Sequence, residues 1–509
     1  MEVVDTLLTS SHNPDEAVAQ QLEKLGGDWG ARRELCQYAA FQMHSRGQTV
    51  GREIAERELD DLLRNYLVDR RHKSEETASA LVEDFIAVNR QRGGLMENLA
   101  GRHRFAHLSF QEFLVSRYLA ETEREVERIA AYLENPARAG GSWWREPALL
   151  TIGYLNVTAP DVATDLVRRL AQLDVDRPVN SAAAFASAEI AATAFLEWGG
   201  TGATRQALSR RLGALLEDAQ LTGVSGVMRG LAGRALGRLG DSRAGVGLRP
   251  DGLPDIVWRD VLAGEFSMGN SKKTDEMAWE EEAPQRVETI EQAYRIGKCP
   301  ITNRQFKAFM DDGGYTEKWR RLWTAAGWAE KGERTGPEMW GSMFGLANHP
   351  VVGVSWYEAV AFCNWLTEKS GHVVSLPTEA QWEKAARGTD ARKYPWGGEI
   401  TPDHANYNET GIGSTSAAGI FPRGSSPCGA LDMSGNVWEW CATKWRDDYK
   451  KPEDNDPEGQ AVRVLRGGAF SYGSKVVRCA ARFRFDPKLR NLDLGFRVVA
   501  PPRIHGSEG

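Results

Sequence analysis

The sequence lacks any pattern that would let its cysteines act as a set. Cys36, Cys299, Cys363, Cys428, Cys441 and Cys479 lie far apart and none forms a CxxC. That spacing argues against a disulfide framework or a zinc site and favours a reducing compartment. No secretory leader is expected. The opening MEVVDTLLTSSHNPDEAV carries acidic residues where a signal peptide needs basic ones, and no apolar core follows. No apolar run is long enough to span a bilayer, so a cytoplasmic location without a membrane partner is expected. There is no excess of positive charge either. The formal net charge of -7 leaves no electrostatic footprint for nucleic acid. No GxxxxGK[ST] occurs. GGTGATRQ near Gly199 lacks the lysine that would reach a phosphate and reads as a loop between helices.

What is present is ordinary in bulk and uneven along the chain. A length of 509 residues suggests roughly two to four domains. With 41% hydrophobic and 26% charged residues, the balance is that of a globular protein. Most of the 17 tryptophans fall after Asp251, in a Gly-rich, loop-heavy half that follows a half rich in Ala, Leu, Glu and Arg. Asp241 to Pro254, DSRAGVGLRPDGLP, reads as a linker or lead-in loop at that change of texture.

The first half is helical. Leu59, Leu62, Leu63, Tyr66 and Leu67 line one helix face, and Leu81, Phe85 and Val88 line another. RFAH (from Arg104) suits a short strand. Ser109 and Glu112 have the spacing of a capping box, with Phe110, Phe113, Leu114 and Tyr118 as the buried stripe. FAHLSFQEFLVSRYLAE after GLMENLAGRHR resembles the winged-helix region that follows the ATPase core in bacterial NACHT-type signalling NTPases. The resemblance implies a role beside such an ATPase, in cis or in trans. From Trp143 to Gly240, WWREPALLTIGYL, AAAFASAEIAATAFLEW and MRGLAGRALGRLGD suggest stacked HEAT-like helices without chemistry of their own.

After Asp251 the landmarks run in a fixed order: VLAGEFSMGN, CPITNRQFKAFM, HPVVGVSWYEAVAFCNWL, LPTEAQWEKAARG, YPWG, CGALDMSGNVWEW, RVLRGGAF and GFRVV. Three further capping boxes are expected, at Thr302–Gln305, Ser355–Glu358 and Thr378–Gln381. Trp356, Trp365 and Trp382 sit on helical patterns and are expected in the core. The series resembles the formylglycine-generating enzyme family, with its relatives in ergothioneine synthesis and the variable proteins of diversity-generating retroelements. The expected fold class is therefore α+β overall. An all-α first half, winged-helix-like over 1–122 and HEAT-like over 123–250, precedes a domain over 251–503 related to the C-type lectin fold, with little regular secondary structure.

The resemblance also implies a chemistry, and residues that depart from it. Active members oxidise a target cysteine with copper(I) held by two cysteines after RGG-S-aromatic. Here Tyr472 stands at the first position, and the second falls at Val477 or in a gap. Cys479 corresponds to a structural cysteine whose disulfide partner position is Ala386, so a buried free thiol is expected. No copper or iron is expected. His103 and His107, four apart, do not suit the His-rich iron site of the other relatives. Calcium is the expected ion, held by the carbonyls of Ser434, Gly435 and Val437 and the carboxylate of Glu439. The competing reading pairs Glu439 with an arginine. A second family calcium site would begin at Asn406 and Tyr407, but its other ligands are not recognisable.

Arg466 and Arg497 are expected to brace the loops. Tyr472, Lys475, Arg484 and Lys488, in the variable part, are the expected binding residues for a protein or small-molecule ligand. These readings favour a ligand-recognition module for a NACHT-type signalling or defence protein. The alternatives are an oxidase acting on a sulfur group and a retroelement variable protein.

Overall fold

Apolar residues at helical spacing build the first part of the chain, and buried tryptophans and arginines build the second. A computed structural model describes residues 29–89, 95–123, 125–134, 142–273, 275–447, 449 and 451–502. The expectation drawn from the opening segment lies outside the described residues. The chain divides into two units, Met1–Val179 with Ala186–Gly200, and Asn180–Phe185 with Thr201–Gly509. Among the described residues no helix is long and apolar enough to cross a membrane.

Among the described residues, the first unit contains α1 (Trp29–Ser45), β1 (Ile54–Ala55), α2 (Glu56–Asn65), α3 (Glu75–Asn89), β2 (Met96–Leu99), β3 (Arg102–Phe105) and α4 (Leu108–Tyr118). β3 pairs antiparallel with both β1 and β2, which makes β2–β3 a wing behind the helices. Leu59, Leu63, Tyr66 and Leu67 are buried as their spacing predicts. On α3 the buried stripe is Ala78, Val82, Phe85 and Ile86, so the face is turned slightly from the expected Leu81–Phe85–Val88 line. The capping box at Ser109–Glu112 does not form. β3 ends at Phe105, and His107, in extended conformation, becomes the N-cap without a side-chain bond, so that Ser109 lies inside the helix. Helices α5 (Val126–Leu133), α6 (Ser142–Thr158), α7 (Pro160–Leu170) and α8 (Ala182–Glu197) follow. Trp143 on α6 stacks on His44 at 4.2 Å, and its indole N–H donates to the His44 carbonyl at 2.9 Å.

The second unit begins with the pair α9 (Ala203–Glu217) and α10 (Gly226–Leu239). Its strands are β4 (Trp258–Val261), β5 (Gly264–Met268), β6 (Arg286–Ile290), β7 (Tyr294–Gly297), β8 (Trp438–Lys444), β9 (Arg463–Arg466), β10 (Arg482–Phe485), β11 (Leu494–Gly495) and β12 (Val499–Ala500). They form a sheet β10-β9-β8-β11, a sheet β12-β7-β4 and the hairpin β5-β6. Between them lie α11 (Asn303–Asp311), α12 (Ala325–Lys331), α13 (Trp356–Ser370) and α14 (Glu379–Arg387). Thr302, Ser355 and Thr378 start α11, α13 and α14 with complete capping boxes. The core gathers Trp356, Trp365, Phe306, Phe362 and Phe496, while Trp382 is buried in a neighbouring cluster. The architecture is thus α+β overall, helical first and sparse in strands after.

Candidate functional site

The site grows from the turn that launches β8. Gly435 and Asn436 take φ of 77° and 63°. A Cβ at Gly435 would lie 2.2 Å from the Asn406 carbonyl oxygen, so the close approach requires glycine. The Asn436 N–H donates to that carbonyl at 2.7 Å, and the Asn406 side chain donates to Ser414 O at 2.9 Å. Asn406, where the second calcium site would begin, holds this turn with its main-chain carbonyl and its amide nitrogen, while its Oδ1 is buried with no hydrogen bond among the described residues.

In the first expected calcium set the one carboxylate is engaged by an arginine. Both oxygens of Glu439 are taken by Arg497, Oε2 from Nε at 2.6 Å and Oε1 from Nη2 at 2.7 Å. Oε2 also accepts from the Trp382 indole at 2.6 Å. The Gly435 carbonyl accepts from Val437 N–H at 2.9 Å, and the Ser434 hydroxyl donates to Val477 O at 2.7 Å. Calcium takes carboxylate and carbonyl oxygens, and the carboxylate of this set is already paired with a cation. Ser434, Gly435, Val437 and Glu439 form an arginine-braced turn instead. Arg497 also donates to the carbonyls of Gly297 and Leu431 at 3.0 and 2.9 Å. Burial would push its pKa down, but the adjacent Glu439 carboxylate raises it above the usual arginine value.

The arginines after Arg463 divide by burial. Arg463, Arg466, Arg478, Arg482 and Arg497 are buried, whereas Lys475, Arg484 and Lys488 are exposed. Arg466 bonds Glu379 at 2.8 Å and Glu383 at 2.6 Å, and Arg478 bonds Glu282 at 2.6 Å. Burial alone would raise the Glu379 carboxyl. Arg482 and Arg466 more than offset it and hold it below the usual range. The bracing carboxylates are Glu379, Glu383 and Glu282, with Asp275 as a second partner of Arg478 at 2.9 Å. Asp432 offers Arg497 its main-chain carbonyl, at 3.3 Å.

At the positions of the copper cysteines, the Tyr472 ring lies edge-on to Trp438 at 5.7 Å, and Val477 is buried with Tyr394, Ala405 and Tyr407. Cys479 is a free thiol that shares an apolar cluster with Ala386, and burial pushes it up to about 12. Among the described residues no group of three or more His, Cys, Asp or Glu is placed to hold a metal ion. His103 is buried against Asn98 and Glu56, at 2.9 and 3.1 Å, while His107 is exposed at the start of α4.

The expected ligand residues do not make one patch. Along β10, Arg482 and Arg484 face Trp445, whereas Phe483 and Phe485 point the other way. Arg484 pairs with Asp447 at 3.0 Å and Lys488 with Asp486 at 3.3 Å. Tyr472 belongs with the opposite side, where Trp438 meets Phe483 at 5.9 Å and Phe483 meets Phe485 at 5.2 Å. Beneath these rings the Trp438 Nε1 and Asp493 Oδ1 are buried and make no hydrogen bond among the described residues. Nearby, a groove of about 450 Å³ is lined by Phe306, Met310, Met339, Trp340 and Phe344. The Phe344 ring approaches Phe470, two residues before Tyr472, to 5.9 Å. Trp438, Phe483, Phe485 and Asp493 escaped the sequence reading. The alternating RFRF was the available signal, since a period of two assigns Arg and Phe to opposite faces.

Comparison with known proteins meets this framework at its motifs. Residues 250–501 match the sulfatase-modifying factor enzyme 1-like domain, and residues 10–119 match the winged helix-turn-helix domain C-terminal to NACHT. The formylglycine-generating enzyme of Thermomonospora curvata is 33% identical over 304 residues, covering 50% of this chain and 97% of that protein. The chain belongs to the sulfatase-modifying factor enzyme 1-like family. The hercynine oxygenase of Mycolicibacterium thermoresistibile is 33% identical over 279 residues, covering 49% of this chain and 60% of that protein. The chain thus spans about three fifths of the length of such relatives. Of solved structures, PvdO from Pseudomonas aeruginosa aligns with a TM-score of 0.39 at 24% identity, over 48% of this chain and 94% of PvdO. In this sulfatase-modifying factor family member the Arg-Gly-Gly motif is intact at Arg466–Gly468. A Cβ on Gly468 would meet the Val477 side chain at 2.7 Å, so the valine closes directly over the motif.

Proposed function

We propose that the chain is a recognition module of a NACHT-type signalling or defence protein, whose C-terminal domain binds a ligand without oxidising it. The observation that carries the reading is the pair Tyr472 and Val477. A tyrosine set against Trp438 and a valine closed over Gly468 offer no thiolate to copper(I), a soft ion that needs one. Tyr472 joins an aromatic side on which Phe483 is exposed and Phe485 half-buried, over the buried Trp438. Beside it, Met339, Trp340 and Met343 are exposed. Aromatic anchors and adaptable methionines are the side chains that protein partners use.

The winged helix supports a partner other than nucleic acid. α3 carries Glu75, Glu76, Glu83 and Asp84 and no basic side chain, which would repel a phosphate backbone. The helical part is then the element that passes the binding event to a NACHT ATPase, in cis or in trans.

Metal analysis of the purified full chain tests the reading, as isolated and after incubation with copper(I) or iron(II). The expected outcome is substoichiometric metal and no oxygen uptake with thiol peptides. One equivalent of retained copper or iron, with oxygen uptake, overturns it in favour of an oxidase.

A further inference from the structure

We infer that the single turn Asn408–Thr410 is a mechanical relay between α10 and the ligand-facing segment Tyr472–Ser474. The role given to that segment rests on the recognition reading above. The coupling itself rests on geometry.

One side of the relay is α10. Gly226, Gly230, Gly233 and Gly237 fall on one face by their spacing. Glycine weakens a helix interior, so this face has to be repaid by close approach. The approach is there. A Cβ on Gly226 would come within 2.1 Å of the Thr410 methyl, and one on Gly230 within 3.2 Å of Ile412. On Gly233 it would meet Ala417 at 2.9 Å, and on Gly237 Asn348 at 2.4 Å. The helix backbone therefore rests directly on the 410–417 segment. Arg234 adds a bond to the Ser414 hydroxyl at 3.1 Å, and the Asn348 amide donates to Gly233 O at 3.1 Å.

The other side is the ligand-facing segment. The Asn408 N–H donates to Tyr472 O at 3.0 Å, and the Ser474 N–H donates to the Glu409 carboxylate at 3.3 Å. Gly473 lies so near that a Cβ there would sit 3.3 Å from Glu409 Oε1. Between the two sides, the Thr410 hydroxyl donates to Ala405 O at 2.6 Å and accepts from Tyr407 N–H at 3.3 Å. The turn is thereby cross-tied. A push on the Thr410 methyl moves Asn408 and Glu409 with it, and a ligand that orders Tyr472–Ser474 pulls the turn the other way. Coupling of this kind is reciprocal. α10 and α9 lead along the chain to the helical half, which makes the turn the first step of a signal in that direction.

Hydrogen exchange on the full chain tests the relay without any ligand. Gly226→Ala drives a Cβ into the Thr410 methyl. It is expected to speed exchange in the Tyr472–Val476 peptide about fivefold or more by local opening, while a peptide within α13 stays unchanged. Thr410→Ser removes that methyl and keeps the hydroxyl, so the double variant Gly226→Ala/Thr410→Ser is expected to restore the slow rate. Faster exchange confined to α10, or no rescue in the double variant, overturns the proposal. Should Gly226→Ala fail to fold, Glu409→Gln serves instead. Faster exchange in the first turn of α10 supports the relay, and an unchanged rate there overturns it. Finding bound copper would defeat the recognition reading and leave this exchange result standing, so the two failures are distinguishable.

Discussion

Arg497 and Glu439 are both fully buried, and Arg497 donates to both oxygens of the Glu439 carboxylate. Two charges removed from water are tolerated only when they meet in good geometry, and losing one leaves the other unpaired at a cost of about 3–5 kcal/mol. Arg497→Ala is therefore expected to destabilise the C-terminal unit by about that amount in denaturant unfolding. The same pairing predicts a null effect. Adding calcium or a chelator is expected to leave the melting temperature unchanged, and a rise of several degrees with calcium would show Glu439 leaving Arg497 for the ion. The GNVWEW motif made Glu439 stand out in the sequence, with either a cation or an arginine as its partner. The choice was not readable there, because the arginine that claims it lies 58 residues further on and only folding brings it near.

Helix starts show where local reading succeeds and where it stops. At Thr302, Ser355 and Thr378 the capping box needs only four consecutive residues, and it forms. At Ser109–Glu112 the same pattern fails because His107 is the N-cap and α4 begins before Ser109. Glu112 is freed from capping and packs half-buried instead. Burial, with Glu146 adding repulsion and Arg52 opposing, raises its carboxyl from 4.5 to about 7. The folded unit thus holds the proton more tightly than the unfolded chain does. The stability this contributes is complete below pH 4.5 and is lost as pH rises through about 7. Glu112→Gln is expected to melt with the wild type near pH 4.5 and above it at pH 8. Thermal melting of the full chain across that range checks it, and identical curves at every pH would refute the assignment.

The whole chain is organised by packing that composition only half reveals. The shift to Trp and Gly after Asp251 coincides with the start of the family match at residue 250. Yet α9 and α10 lie before it and belong to the same unit as the domain. A face of glycines produces no apolar periodicity, so nothing in the sequence pattern announces that α10 lies on the 410–417 segment. The lead-in loop is likewise fastened. Arg243 bonds Asp241 at 2.7 Å, and Gly245 N–H donates to Asp255 at 2.8 Å. Cutting at the family boundary would strip α10 from Ala417 and Ile420, both fully buried. Exposing one isoleucine alone costs about 1.5–3 kcal/mol. Ser414, the Ile420 carbonyl and Asn348 would lose Arg234, Arg229 and the Gly233 carbonyl as partners at the same time. A fragment spanning 201–509 is expected to melt cooperatively, and one spanning 251–509 to melt well below it and to bind a hydrophobic dye. Equal melting temperatures would mean that α10 adds no stability to the domain. It would then be free to detach while the recognition fold stays intact, and a signal could leave the domain by release of the helix rather than by strain transmitted through the Asn408–Thr410 turn.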